Sequence, residues 1–198
     1  MKIKLFTLII VLCVCFCNCV LKKNQYKIID KVLDSDSSIE CDSTNVILET
    51  SKFDSDFFKN YENYKLKVIN TNFHDHHPFI TWLDKKNKWL LSKDDINYML
   101  KNKNGILKLD KNVLKTTKVI NLVNLPLYRD DIEKNKDVTK QIINCNYLYQ
   151  FSKPIFNKNK NKAVIMKTYF SQNYKNFYIF IKEKEDWIMV GRSNNYSE

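Results

Sequence analysis

Glycine is nearly absent from this chain, with 2 residues in 198. Average usage in proteins is about 7%. Phosphate-cradling loops, dinucleotide-binding turns and nucleophile elbows all need glycine, because their backbone is tight or takes a positive φ. None of these motifs occurs in the sequence. The shortage therefore argues against nucleotide-dependent enzymes and against α/β-hydrolases.

Arginine is equally scarce, since Arg129 and Arg192 are the only two. The formal net charge of +11 comes from lysines, which are interleaved with asparagines along the whole chain, as coding bias in a low-GC genome would produce. Stacking platforms that combine arginine with aromatic residues are absent. A basic balance of this kind affects solubility and nonspecific attraction more than function. We therefore predict no nucleic-acid partner.

Apolar residues are plentiful, at 44% of the chain with 13% aromatic, and this composition argues against disorder. The length suits one domain behind a leader. We predict a leader over residues 1–21 and a single α+β domain over residues 22–198. Within that domain we expect a mixed, partly helical part at 22–145 and a β-meander at 146–192.

The first residues have the pattern of a secretory signal. Lys2 and Lys4 precede an apolar run from Leu5 to Leu21, and Lys22 and Lys23 close it. A basic start, a short apolar stretch and small residues at its end are typical of an export signal. The run is at the lower limit of the roughly 17–25 residues needed to span a bilayer. We predict export of the chain to the cell envelope.

Three interpretations of this leader stay open. In the first it is a bacterial lipoprotein signal, in which the lipid is attached to Cys19 of the segment Phe16-Cys17-Asn18-Cys19; here Asn18 stands where Gly, Ala or Ser is usual. The other frame for such a signal, Leu12 to Cys15, leaves little apolar run before it. In the second interpretation the signal is cleaved after Cys19, and in the third it remains as an anchor. We favour lipidation of Cys19, which makes the membrane the first partner of the chain.

Two cysteines remain beyond the leader, Cys41 and Cys145. An oxidising compartment permits a disulfide between them. It would close a loop of about 104 residues and stabilise the fold by about 4–5 kcal/mol in the chain-entropy picture. The alternative is two buried free thiols, because cysteine packs well as a small apolar residue.

The last fifty residues predict a β-meander, because short apolar runs alternate with polar turns. Pro154 has no backbone donor, so the first strand should end there or lie at an edge. Ile179 and Ile181 share one face of their strand, and Tyr178 and Phe180 share the other. Both faces of the sheet are therefore apolar and need cover from the helices upstream. The predicted strands begin at Tyr147, Ala163, Phe177 and Trp187.

The region before the meander has helical periodicity in three segments, at 24–34, 53–64 and 93–101. Ser92 is the expected N-cap of the third helix, and Gly105 is a stop signal just beyond it. Short strands are expected at 46–50 and 119–123, and an extended segment at 66–69. Residues 130–141 are polar and are either helical or looped. The predicted fold is α+β, with a C-terminal antiparallel β-meander packed under a few short N-terminal helices.

Three segments carry a resemblance to a known group of proteins. They are Leu91–Met99, Leu109-Asp110-Lys111, and Phe151–Lys158 with the hairpin that ends in Trp187. Over residues 85–191 the chain resembles uncharacterised exported proteins of Bacteroidetes, many of them predicted lipoproteins. The resemblance implies export and the fold class but no activity. That group often has a Gly- and Cys-rich loop where this chain has Ser171–Asn176, which contains neither residue.

All three histidines lie within Asn72-Phe73-His74-Asp75-His76-His77-Pro78. In an extended segment, His74 and His76 project to one face and could share a metal ion with a carboxylate. His77 points the other way, so a site that includes Asp75 and all three histidines needs an irregular loop. The alternative is a polar surface loop. The sequence allows a metal ion here and implies no other cofactor.

Aromatic residues are dense in the meander, and two interpretations compete. Tyr149, Tyr169, Tyr178 and Trp187 could line a groove for a protein, peptide or glycan, because such rings give rigid contact area with polar tips. Alternatively they fill a small core. We therefore predict an envelope-tethered binding or interaction module without catalysis. The rival is a metal-dependent enzyme or metal-binding protein that uses the His74–His77 segment.

Overall fold

A computed structural model describes residues 2–35, 44–47, 49–71, 89–110, 113–114, 117–120, 148–169 and 174–195. The helices in this part of the chain are α1 (Lys2–Ser35), α2 (Asp56–Thr71) and α3 (Lys93–Asn102). The strands are β1 (Thr44–Ile47), β2 (Thr117–Ile120), β3 (Leu148–Phe151), β4 (Ile155–Phe156), β5 (Lys162–Tyr169), β6 (Tyr174–Glu183) and β7 (Asp186–Asn195).

The strands form one mixed sheet, in the order β2-β1-β3-β5-β6-β7, with the short β4 paired to β5. The pairs β3–β5, β4–β5, β5–β6 and β6–β7 are antiparallel. The strands β1 and β2 extend the sheet by parallel pairing, β1 with β2 and β1 with β3. The fold is therefore α+β with a mainly antiparallel C-terminal sheet, which confirms the predicted class.

The turns of the meander follow from local sequence. Between β4 and β5, the side-chain oxygen of Asn157 accepts hydrogen bonds from the backbone N–H groups of Asn161 and Lys162, both at 3.0 Å. Lys160 in that turn and Lys184 between β6 and β7 have φ values of 53° and 54°. A single left-handed residue of this kind lets the chain reverse within a short polar turn.

Pro154 lies in the break between β3 and β4, where the strand was expected to end. Ser152, just before this break, maintains the hydrogen bonding with β5. Its backbone N–H donates to the carbonyl of Met166 at 2.8 Å, and its hydroxyl accepts from the N–H of Met166 at 2.9 Å. The side chain of Ser152 thus replaces a backbone acceptor that the break removes.

Helix α1 covers one face of the sheet. Tyr26 fixes it at one side, because its hydroxyl accepts from the N–H of Asp110 at 2.7 Å. Lys31 forms an ion pair with Asp186 at 3.1 Å on the other side. We call the apolar residues between them the α1-side core. It includes Tyr26, Ile28, Ile29, Val32, Val46, Tyr149, Phe151, Ala163, Ile165, Tyr178, Phe180 and Trp187.

Helices α2 and α3 cover the opposite face. Phe57 of α2 stacks on Phe177 of β6 at a centroid distance of 4.7 Å. The hydroxyl of Tyr61 accepts from the N–H of Leu91 at 3.0 Å, and burial raises the pKa of Tyr61 to about 12. The second core includes Phe53, Phe57, Phe58, Tyr61, Leu90, Leu91, Ile96, Met99, Ile155, Val164, Met166, Phe177 and Ile179. Both faces of the sheet are covered by upstream helices, as the sequence predicted.

The start of α3 is set by a capping box. The hydroxyl of Ser92 accepts from the N–H of Asp95 at 3.1 Å, and the Asp95 carboxylate accepts from the N–H of Ser92 at 3.1 Å. These two bonds satisfy backbone N–H groups that have no partner within the helix at its N-terminus. The prediction that Ser92 is the N-cap is confirmed.

Some predicted boundaries were wrong. The segment 66–69 was expected to be extended, but it lies inside α2, which runs on to Thr71. No Gly or Pro follows Phe57 in this stretch, so an already nucleated helix can continue through Val68 and Ile69 despite their β-branched side chains. The expected short helix at 24–34 is the end of α1, because nothing in Lys22–Gln25 breaks a helix.

The predicted strands are present where the structure describes them, but their bounds differ from those predicted. Strand β1 ends at Ile47, earlier than expected, and Glu49 forms an isolated bridge with Lys108. Strand β2 covers the start of the expected strand at 119–123. Strands β6 and β7 are longer than expected, with ten residues each. Residues 121–147 lie outside the described residues, and so does the expected helical or looped segment at 130–141.

Two carboxylates that face lysines should make the fold sensitive to acid. Desolvation alone would raise the pKa of Asp54 and of Asp95, but hydrogen bonds from Lys175 and Lys162 respectively, with backbone donors, outweigh it and lower both below the ordinary 3.8. Each depressed pKa stabilises the fold fully above its ordinary value, and this contribution is lost as pH falls through the folded pKa. We expect the denaturant midpoint to fall as the pH drops below about 4.

The control for the acid prediction is a variant with Asp54→Asn and Asp95→Asn together. Its midpoint should be lower than that of the wild type at pH 7, and it should change less between pH 4 and pH 2. A variant whose acid-induced loss equals that of the wild type would show that these two carboxylates do not carry the effect.

Candidate functional site

A polar cluster interrupts the α1-side core toward the end of β5. We define it by six residues that lie on the same face of β3, β5, β6 and β7. They are Tyr149, Lys167, Tyr169, Asn176, Tyr178 and Arg192.

Strand register explains why these residues meet. Successive side chains of a strand point to opposite faces, so Ile165, Lys167 and Tyr169 of β5 share the α1 side. Lys167 is opposite Asn176 of β6, and Tyr169 is opposite Tyr149 of β3. In the neighbouring pair of strands, Tyr178 of β6 is opposite Arg192 of β7. Four neighbouring strands thus contribute to one contiguous patch.

Lys167 is the most unusual member of the polar cluster, because it is 0% exposed. Its Nζ lies 3.6 Å from the ring centroid of Tyr149 and 4.9 Å from that of Tyr169. The two rings meet edge to face, with centroids 4.9 Å apart. Lysine is almost never fully buried, since removing an ammonium group from water is costly. A desolvated cation–π contact offsets about 2 kcal/mol of this desolvation penalty.

Asn176 is the second buried polar member, also at 0% exposure. Its Nδ2 donates to the hydroxyl of Tyr178 at 3.4 Å, which is a long bond. Its Oδ1 has no hydrogen-bond partner within the described residues. A buried polar atom left in this way costs the fold about 1–3 kcal/mol.

Arg192 is half-buried at the outer side of the polar cluster. Its guanidinium carbon lies 5.5 Å from the ring centroid of Tyr178, which suits a cation–π contact. The six members together supply two cationic groups, one amide and three phenols, and no carboxylate. The polar cluster therefore brings two cationic groups and a buried amide into an otherwise apolar core.

The four aromatic residues predicted to line a groove lie in two places. Tyr149, Tyr169 and Tyr178 belong to the polar cluster. Trp187 lies under α1, where its Nε1 donates to the Asn24 side chain at 3.3 Å. The structure buries Tyr149, Tyr178 and Trp187 to 2% exposure or less, so these three rings fill the core, and only Tyr169 of the four is partly exposed.

The predicted lipidation residue, Cys19, is a free and exposed thiol on α1. Within the described residues, no helix is both long enough and apolar enough to cross a bilayer. Cys41 and Cys145, the predicted disulfide pair, lie outside the described residues.

The predicted metal segment, His74, Asp75, His76 and His77, also lies outside the described residues. In the part of the chain that the structure describes, no group of three or more His, Cys, Asp or Glu residues could hold a metal ion. The metal hypothesis on residues 74–77 stays a prediction.

Sequence reasoning missed Lys167, Asn176 and Arg192. One signal was available for Lys167, because the alternation that places Ile165 on the covered face also places Lys167 there. Strand β5 has apolar residues on both faces, so a lysine at a position expected to be buried is an exception that the sequence already shows. Asn176 and Arg192 gave no such signal, since they fall in segments that were interpreted as a polar turn and a strand end.

Comparison with protein families, with curated proteins and with solved structures finds no match to this chain. The resemblance to exported proteins of Bacteroidetes therefore stays a prediction from the motifs given above.

Proposed function

We propose that this chain is an exported envelope protein, tethered to the membrane through a lipid on Cys19. Its α+β domain acts as a non-catalytic binding or interaction module for a protein, peptide or glycan. The leader with its basic start and apolar run supports export.

The observation that carries the proposal is the place of Cys19 on α1. The thiol is exposed, and Val20 beside it is 58% exposed. Asn24 of α1 accepts a hydrogen bond from Nε1 of Trp187 in β7, and the next residue, Gln25, is buried. At 1.5 Å per helical residue, Cys19 precedes Asn24 by about 7.5 Å. A mature chain that starts at Cys19 keeps every residue of both cores and has a short spacer to the bilayer.

The buried polar cluster supports a binding role. Buried cationic and amide groups are costly to a fold, and proteins retain such departures from good packing mostly at functional sites. The alternative function, a metal-dependent enzyme or metal-binding protein that uses His74–His77, remains a separate hypothesis. Metal analysis of the purified protein, with His74→Ala and His76→Ala as controls, tests it.

Fatty-acid labelling in a bacterium that processes lipoproteins tests the tether. The wild type should incorporate labelled lipid and sediment with membranes. Cys19→Ser should lose the label, because serine has no thiol to form the thioether. The matched control Cys17→Ser should keep it. Absence of label in the wild type, or equal label in Cys19→Ser, would contradict the proposal.

A further inference from the structure

We propose that Asn104 is a site of spontaneous covalent modification, at which the side-chain amide is lost and a mixture of aspartyl and isoaspartyl linkages forms. The inference concerns the chemical lifetime of the chain and does not depend on the function proposed above. It starts from the pair Asn104-Gly105, the only place in the sequence where asparagine precedes glycine.

The structure leaves this pair accessible. Helix α3 ends at Asn102, and Lys103 is its C-cap. Asn104 and Gly105 follow outside any helix or strand, and both are exposed to solvent. No hydrogen bond joins the Asn104 side chain or the Gly105 N–H to another residue that the structure describes. Both reacting groups can therefore move relative to each other and meet water.

The reaction needs only water and a base. The backbone nitrogen of Gly105 loses its proton and attacks Cγ of Asn104. The new N–Cγ bond forms, the Cγ–Nδ2 bond breaks, and Nδ2 leaves as ammonia, so that a five-membered imide remains. Water then adds to one of the two imide carbonyl carbons, and the bond from that carbon to the Gly105 nitrogen breaks. Opening at Cγ gives aspartate, and opening at the backbone carbon gives isoaspartate.

Glycine in the following position makes ring closure fast. The attacking nitrogen must come within bonding distance of Cγ, and a side chain on the same residue would crowd this approach. Gly105 has no Cβ, and its backbone dihedrals can change at little steric cost. Every other asparagine in the chain is followed by a residue with a side chain. The chemistry therefore singles out Asn104.

The fold itself favours glycine at position 105. Its φ is 128°, in a region that residues with a Cβ rarely adopt. A Cβ built on Gly105 would also lie 3.0 Å from Nζ of Lys153. The turn that follows α3 thus contains the reactive pair as a consequence of its backbone geometry.

The modification changes the connection that follows α3. A carboxylate replaces a neutral amide near the C-terminus of this helix, where the helix dipole disfavours negative charge. The isoaspartyl product also lengthens the backbone by one atom ahead of Leu107, whose N–H donates to Oγ1 of Thr50 at 2.7 Å. Aged protein should therefore contain an acidic form that differs from the new chain in this segment.

Isotope labelling of the full chain in detergent tests the proposal. The protein is kept at neutral pH in water enriched in the heavy oxygen isotope and is then digested in ordinary water. Each true product carries one heavy oxygen in its new carboxylate, whereas conversion during digestion adds ordinary oxygen. Cleavage after Leu100 and Leu107 gives one peptide that contains both Asn102 and Asn104, and mass spectrometry locates the label within it.

Asn102 is the internal control, because it is exposed like Asn104 but precedes Lys103. Its Nδ2 donates to the carbonyl of Tyr98 at 2.8 Å. We expect Asn104 to convert at least about tenfold faster than Asn102, which corresponds to a barrier lower by about 1.4 kcal/mol. The labelled product should separate into two isomers of equal mass, and its rate of formation should rise with pH.

The variant Gly105→Ala tests the role of glycine. It keeps Asn104 and adds one methyl group to the attacking residue, so conversion should slow about tenfold. Conversion at Asn104 that is no faster than at Asn102, or that is absent when the incubation ends, would overturn the proposal. So would a Gly105→Ala variant that converts as fast as the wild type. Lipid labelling at Cys19 is independent of these results, so this inference and the proposed function can fail separately.

Discussion

Replacing Trp187 by alanine should lower the free energy of unfolding by about 3–5 kcal/mol, the range found for large aromatic residues in protein cores. Trp187 is 0% exposed and packs against Phe156 with ring centroids 5.5 Å apart. Its Nε1 donates to Asn24, so the indole also fixes α1 on the sheet. Alanine would leave a cavity between the helix and the sheet and would remove the donor to Oδ1 of Asn24. Denaturant unfolding measures the change.

The neighbouring Ile188 provides a matched control for Trp187. It lies on the same strand but is 39% exposed, so Ile188→Ala should cost well under half of the Trp187 effect. Equal costs for the two variants would mean that Trp187 is not buried under α1. A change in denaturant slope for Trp187→Ala alone would indicate partial undocking of α1, since the slope follows the surface that unfolding exposes.

Replacing Asp95 by alanine should cost about 2–4 kcal/mol, because this carboxylate joins α3 to the turn between β4 and β5. One oxygen accepts from Asn157 Nδ2 at 2.8 Å, and the other accepts from Lys162 Nζ at 2.8 Å. The same carboxylate completes the capping box with Ser92. Its removal breaks the cap and deprives two partly buried donors of an acceptor. Denaturant unfolding at pH 7 measures the loss.

Asp94 is the control for Asp95, since it lies in the same first turn of α3 but is exposed. Asp94→Ala removes the same charge near the helix N-terminus and should cost at most about 1 kcal/mol. The partner variant Lys162→Met should be destabilising by itself and should have little further effect in the Asp95→Ala background. Additive costs in that double variant would contradict a direct Asp95–Lys162 interaction.

The sequence predicted those helices and strands whose signals lie within a few neighbouring residues. Ser92 with Asp95 three residues later is a capping box that can be recognised in one dimension, and the start of α3 is confirmed. Tyr178 and Phe180 lie on one face of β6, and Ile179 and Ile181 lie on the other. Both faces of the sheet were therefore expected to be covered by helices. Helices α1, α2 and α3 supply this cover. The antiparallel part of the sheet follows from short polar turns between apolar runs.

Long-range pairing could not be predicted in the same way. The strands β1 and β2 join the sheet in parallel, and nothing in 44–47 or 117–120 encodes a neighbour about 70 residues or more away. The polar cluster depends on the same kind of information. Lys167, Asn176 and Arg192 meet only because β5, β6 and β7 adopt one register, and a shift by a single residue would move their side chains to the opposite face.

Intact-protein mass spectrometry of the membrane fraction tests export and the lipid tether most directly, because the mass identifies the first residue of the mature chain. The proposed export and tether predict a chain that begins at Cys19 and carries the mass of a lipid on that residue. A soluble chain that retains Met1 and the whole leader would contradict both export and the tether.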